Sequence, residues 1–173
     1  AASRASVLTK RDETVQRFDR CDPDALPAVE REASSHWEPE FAERVIFARA
    51  LSGGEVEVRL EGWNTEWGLA ASALAAMQKG DLESAIALVT KLERRHPAAF
   101  SGQFARARLE ELRGNSAEAR GFARKVLDRY PSFGPGHEVL VRAEARQLDF
   151  DAMRASLSGL KAVAPEHPYL TLS

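Results

Sequence analysis

The chain is poor in the residues that usually mark chemistry. It has one cysteine, Cys21, in 173 residues, which excludes an internal disulfide and leaves the redox compartment unread. Flanked by Asp19, Arg20, Asp22 and Pro23, that thiol reads as an unreactive group near a helix end. The four histidines, His36, His96, His137 and His167, show neither His-Glu-x-x-His nor His-x-His spacing, so no metal site is expected. His137 and Glu138 with Glu144 do not set two ligands on one helix face and read as surface residues. A Walker loop, a Gly-x-Gly-x-x-Gly turn and a Gly-x-Ser-x-Gly elbow are missing. The glycines of "GWNTEWG" and "SFGPGH" lack the strand–loop–helix setting that phosphate binding needs. No apolar run reaches the roughly 18 residues of a membrane span. A net charge of -2 gives no global attraction to nucleic acid or to an acidic membrane surface. These absences set the expectation: not an enzyme, no cofactor, no nucleic-acid partner, no direct membrane insertion.

What is present is the composition of a soluble globular chain, 44% apolar and 29% charged. Charge is placed unevenly: residues 1–65 hold 9 Lys/Arg against 13 Asp/Glu, and residues 66–173 hold 15 against 13. The step falls where the organisation changes. The chain opens on Ala1, without a Met or a signal-peptide apolar core, so it reads as a piece of a longer protein. Cytoplasm and periplasm stay equally open.

Self-similarity at a fixed period organises residues 66–167. Gly80 and Gly114 are 34 residues apart; so are Asp81, Asn115 and Asp149, and Pro97, Pro131 and Pro165. In blocks 66–99, 100–133 and 134–167 two apolar-periodic stretches flank a short break, which reads as helix–turn–helix. Glycine takes the left-handed conformation that ends a helix, and Asp or Asn caps the next. The third block has Leu148 in the glycine's place, so its turn must differ or carry strain. Second helices carry apolar spacing at Ala85, Val89 and Leu92, at Ala119, Ala123 and Val126, and at Met153, Leu157 and Leu160. Each then meets a proline, which stops it. Ala73 with Ala85, and Ala107 with Ala119, let paired helices approach closely, whereas Val141 and Met153 predict a wider third pair. The cluster Glu93-Arg94-Arg95-His96 resembles a reactive site, but one period later it becomes Leu127-Asp128-Arg129-Tyr130. It is a helix end, with cations at the negative end of the dipole.

These blocks resemble tetratricopeptide (TPR) repeats, in a divergent, alanine-rich form of bacterial type: Leu69, Gln103 and His137 stand where large aromatics are usual. The resemblance implies an all-α fold, a right-handed superhelical solenoid of helix–turn–helix repeats whose first helices line a concave groove for partner peptides. It implies a scaffold or adaptor mediating protein–protein interaction. Carried over by repeat position, the groove residues are Trp67, Ala70, Leu74, Met77 and Gln78, then Ser101, Phe104, Arg108, Glu111 and Leu112, then Pro135, Glu138, Arg142, Ala145 and Arg146. Trp67, Leu74, Met77 and Phe104 give an apolar wall, and Arg108, Arg142 and Arg146 an arginine track, suited to a protein or peptide with apolar and acidic side chains. The arginines could equally pair with Glu111 and Glu138. The clamp by which some TPR domains grip chaperone tails is unmatched, because its places hold Ala70, Leu74, Ala105, Pro135 and Val139. RNA-reading helical repeats run one residue longer, so the strict 34 argues against them.

The frame does not extend into residues 1–65, which read as mostly helical. Helices are expected at 4–19, at 23–35, and over "EPEFAERVIFARALSGG", where Phe41, Val45, Ala48 and Leu51 make a stripe. Val56, Val58 and Leu60 alternate with charge, as in a short extended stretch over 55–61, yet Val56, Leu60, Trp63 and Trp67 also fit a helix. Trp63 and Trp67 are expected to seal the junction with the first repeat. The segment could itself fill the groove or mediate self-association, making the chain an auxiliary domain of a larger enzyme or secretion or envelope assembly. Residues 168–173 read as the start of a further helix or a cap.

Overall fold

The computed structural model describes residues 39–56 and 64–170, with side chains from Glu43 onward. Seven α-helices and no strand lie among the described residues: α1 (Pro39–Leu51), α2 (Glu66–Gln78), α3 (Leu82–Arg95), α4 (Phe100–Leu112), α5 (Ser116–Arg129), α6 (Gly134–Arg146) and α7 (Phe150–Val163), then a 3-10 turn at Pro168–Leu170. The helices expected at 4–19 and 23–35, Trp63, and residues 57–61 of the expected extended stretch fall outside the described residues. Glu55 and Val56 form no regular element.

The period is carried by the backbone itself. First helices start at 66, 100 and 134, second helices at 82, 116 and 150. The reversal inside each pair is one motif made three times. The amide of the residue after the left-handed position donates back to the first helix: Asp81 to Ala76 at 2.9 Å, Asn115 to Glu110 at 2.9 Å, Asp149 to Glu144 at 3.0 Å. The left-handed residue's own amide donates to Met77, Glu111 and Ala145 respectively. Together these satisfy helix-end carbonyls as a Schellman motif does. Gly80 and Gly114 adopt φ of 75° and 82°, and Leu148 is forced to 58°. The expected strain at Leu148 is therefore present, and its side chain, 71% exposed, gains little packing in return. Asp81 and Asp149 cap the next helix through Ser84 and Ala152 amides, at 3.1 and 3.2 Å. Asn115 does not cap; its side-chain amide donates instead to Glu110 at 2.6 Å. At the far end of each pair the amides of His96, Tyr130 and Ala164 close the second helix, and the prolines follow.

The first helices α2, α4 and α6 touch one another in order; α3 and α5 each pack between their own partner and the next first helix, and α7 meets α6 and the 3-10 turn. The second helices make at most marginal contacts among themselves, so the first helices form the tight inner layer. Helix α2 (EWGLAASALAAMQ) is apolar nearly all round because α1, α3 and α4 enclose it. Ala73, Ala85, Ala107 and Ala119 are wholly buried where the paired helices meet. In the third pair Val141 is buried and Met153 only half-buried, and α7 buries just Ser156 and Leu160.

A further set of small residues keeps the period: Gly68, Gly102 and Gly136, each buried at the third position of a first helix. A Cβ on Gly102 would lie 3.4 Å from Leu92 Cγ; on Gly136 it would lie 2.9 Å from Leu127 Cδ2. Gly102 and Gly136 mark where a first helix crosses the second helix before it.

Two stability outcomes follow. Leu148→Gly relieves the left-handed strain and should raise unfolding stability by about 1 kcal/mol, read as a higher urea midpoint at unchanged slope. Gly121 in α5 has open space around its Cβ position. Gly121→Ala should therefore stabilise by about 0.5–1 kcal/mol, whereas Gly136→Ala should destabilise by about 1–3 kcal/mol in the same titration.

Candidate interaction surface

The first-helix layer divides into an apolar end and a charged end. At the apolar end the expected wall is closed. Leu74, Met77 and Phe104 are 5%, 6% and 1% exposed, so they are core residues rather than open groove; Trp67 is half-buried. The cover comes from α1. Phe47 of α1 packs on Trp67 at 5.3 Å between ring centroids and on Phe104 at 6.5 Å. Arg44 lies over the Trp67 ring at 4.8 Å. Gln78, at the end of α2, donates to the carbonyl of Ala50, and Lys79 reaches the carbonyl of Val56 at 3.4 Å. Arg44 and Phe47 of α1 thus meet the start of α2, while Ala50 and Val56 further on meet its end: the two helices run in the same direction, unlike the antiparallel pairs of the repeats. Trp67 does seal the junction between the N-terminal segment and the first repeat.

From Phe47 an aromatic chain continues along the starts of the first helices. Trp67 meets Phe100, and Phe100 meets Tyr130 and Phe133. Phe133 also meets Phe104 at 5.0 Å. Edge-on ring contacts of this kind add to area burial.

At the charged end the arginines are engaged by carboxylates. Arg142 forks around Glu111, its Nε on Oε1 and its Nη2 3.2 Å from Oε2. Its Nη1 donates to Glu138 at 3.1 Å and to the Tyr169 hydroxyl at 2.9 Å. Burial pulls this guanidinium's pKa down, but the hydrogen bond and charge of Glu111, with Tyr169 in support, more than reverse that, and the net shift is upward. Arg108 also donates to Glu111, at 2.5 Å. His167 contacts Glu138 at 3.0 Å, so the chain after α7 is tied to α6. Arg108 and Arg142 are thus neutralised locally by Glu111 and Glu138. Arg146 bonds the Glu111 carbonyl at 2.6 Å, and its side chain stays exposed beside Leu112.

Two buried carboxylates, again 34 apart, escaped the sequence reading. Glu110 holds Asn115 and, at 3.2 Å, Arg113. Glu144 is 1% exposed, not a surface residue; it accepts from Ser156 at 2.6 Å and from Arg124 at 3.5 Å. The signal was available in the 34-residue register, although the first block has Ala76 at that place. His137 is half-buried, with Nε2 on the Pro131 carbonyl at 2.8 Å. That carbonyl can only accept, so Nε2 carries the proton. The Arg94-Arg95-His96 run closes α3, and His96 Nε2 meets the Asn64 carbonyl at 2.8 Å.

Among the described residues no three His, Cys, Asp or Glu side chains come together as metal ligands, and no helix is long and apolar enough to cross a membrane. No protein-family model, no curated protein and no solved structure matches the chain.

Glu111 joins two first helices, so Glu111→Gln should lower stability by about 2 kcal/mol. The exposed pair Arg154–Asp151 is the control, and Arg154→Gln should change stability by under about 0.5 kcal/mol. Urea unfolding of both variants checks the contrast.

Proposed function

We propose that this chain is a non-catalytic scaffold or adaptor domain, a right-handed TPR-like solenoid that binds a protein partner along its first-helix layer. One observation carries the reading. That layer buries the apolar side of a helix, α1, that does not belong to the repeats: Phe47 and Ala50 are each under 4% exposed and join its core. The face is therefore suited to holding an apolar helical segment. The charge pairing modifies the expected partner. Arg108 and Arg142 already satisfy Glu111 and Glu138, so an acidic side chain on the partner would meet chiefly Arg146. Apolar contact carries the affinity in this reading, and charge sets register.

A second reading, self-association within a larger assembly, draws support from the exposed apolar end of the third pair, where Leu148 and Phe150 are 71% and 55% exposed.

Site-specific photocrosslinking tests the first reading in cells of the natural source. The crosslinker replaces exposed Leu112, one period after Gln78 and one before Arg146, or exposed Thr90 on α3 as control. A discrete crosslinked protein from position 112 and none from 90 is the expected result. Crosslinks between two copies would favour the second reading, and silence at 112 would end the first.

A further inference from the structure

We propose that α1 is a detachable occupant of the first-helix layer, an internal ligand that must leave before a partner helix can take the apolar end. The inference rests on the scaffold reading and gives its partner a chemistry: a short helix with one aromatic side chain among small apolar ones.

The frame excludes α1 from the repeats. One period of 34 residues before α2 and α3, repeat helices would span 32–44 and 48–61. Helix α1 spans Pro39–Leu51 and straddles both. Its direction, parallel to α2, is also not that of a second helix reaching its next first helix. Phe47 touches both α2 and α4, at Trp67 and Phe104. Helix α1 lies along α2, and its Phe47 ring extends beyond that helix to α4.

The way it is held suits release. Phe47 is the one large side chain that α1 buries fully in the core, beside Ala50, with Ile46 and Leu51 packed half-buried against it. Two of its polar anchors reach backbone carbonyls, those of Ala50 and Val56, which any helix with a following extended residue can offer. At 13 residues α1 is near the lower limit for a helix standing alone in water, so docking and helix formation are coupled. Residues 52–65 join it to α2, opening with Gly53, whose φ of 75° ends the helix. A tether of this length sets an effective concentration of order millimolar. A partner in trans therefore competes with an occupant that is always present, and its apparent affinity falls by the fraction of chains left open.

The test uses a fluorescein-labelled peptide of residues 39–51 as probe and the whole chain as receptor. Phe47→Asp detaches α1, and fluorescence anisotropy should show it binding the probe about ten-fold or more tightly than the unaltered chain. A probe carrying the same Phe47→Asp change should bind neither. A folded Phe47→Asp chain that binds no better than the unaltered one overturns the proposal. Hydrogen exchange of the unaltered chain gives a readout that needs no variant. Amides of Val45–Leu51 should open locally, with protection about 100-fold or more below that of α4. If Phe47→Asp does not fold, this measurement decides, and exchange of α1 only together with α4 overturns the proposal. A concentration-dependent dimer of the unaltered chain that Phe47→Asp abolishes would mean exchange of α1 between copies, which requires α1 to detach and so supports the proposal. Failure here with crosslinking at position 112 intact leaves the scaffold reading standing without a displaceable α1.

Discussion

Gly136 sits where a first helix crosses the second helix before it, and a single added carbon there would stand 2.9 Å from Leu127. Stacking of one pair on the next depends on that close approach, and Gly102 repeats it against Leu92. With the crossing fixed, alanines can fill the interior of the first two pairs, and the wholly buried Ala73, Ala85, Ala107 and Ala119 do so. The fold is consequently built from small side chains and short distances, where close packing leaves little room for volume change. Leu69, Leu88, Leu92 and Leu109 fill the space beside them, and the aromatic chain from Phe47 to Phe133 runs along the first-helix starts.

Small-residue packing brings the backbones close and leaves few positions for polar contacts, so those present are concentrated. Glu110, Glu111 and Glu144 are all buried, and each is met by arginine, asparagine or serine from another turn or helix. A buried carboxylate left alone would be costly, so these contacts restrict how neighbouring helices can slide. Glu111 binds arginines of α4 and α6 at once and fixes the register of one first helix against the next. The same pairing removes most of the open positive charge from the arginine track.

The sequence made some of this legible and hid the rest for definable reasons. Glycine-then-cap at 80–81 and 114–115 marks a reversal, because few other residues accept a left-handed backbone, and Leu148 could be singled out as the strained exception. The stripes Ala85–Val89–Leu92 and Ala119–Ala123–Val126 are local and periodic, and all six side chains are buried. Burial of Leu74, Met77 and Phe104 was not legible, because it depends on where α1 comes to lie, a contact made by residues far away in the chain. For the same reason Phe47 and Ala50 fell outside the stripe assigned to their helix, since contact with both α2 and α4 widens the face that is covered. Glu144 looked like a surface residue because its partners Ser156 and Arg124 are on other helices. Asn115 looked like a cap because its chemistry allows one, and only the nearby Glu110 carboxylate diverts it.

The direction of α1 has a consequence for the order of events as the chain is made. The repeats are held by neighbours in sequence and can form pair by pair. Helix α1 is held by Trp67 and by Phe104, and Phe104 is 57 residues further on. At synthesis rates of roughly 5–20 residues per second, Phe47 leaves the ribosome about 3 to 11 s before its second ring partner does. Through that interval the residues of α1 come first and have nothing complete to rest on. The first part of this region to be synthesised is fully seated only after α4 has followed it, and until then its apolar face is open to any chaperone or partner present at the tunnel exit.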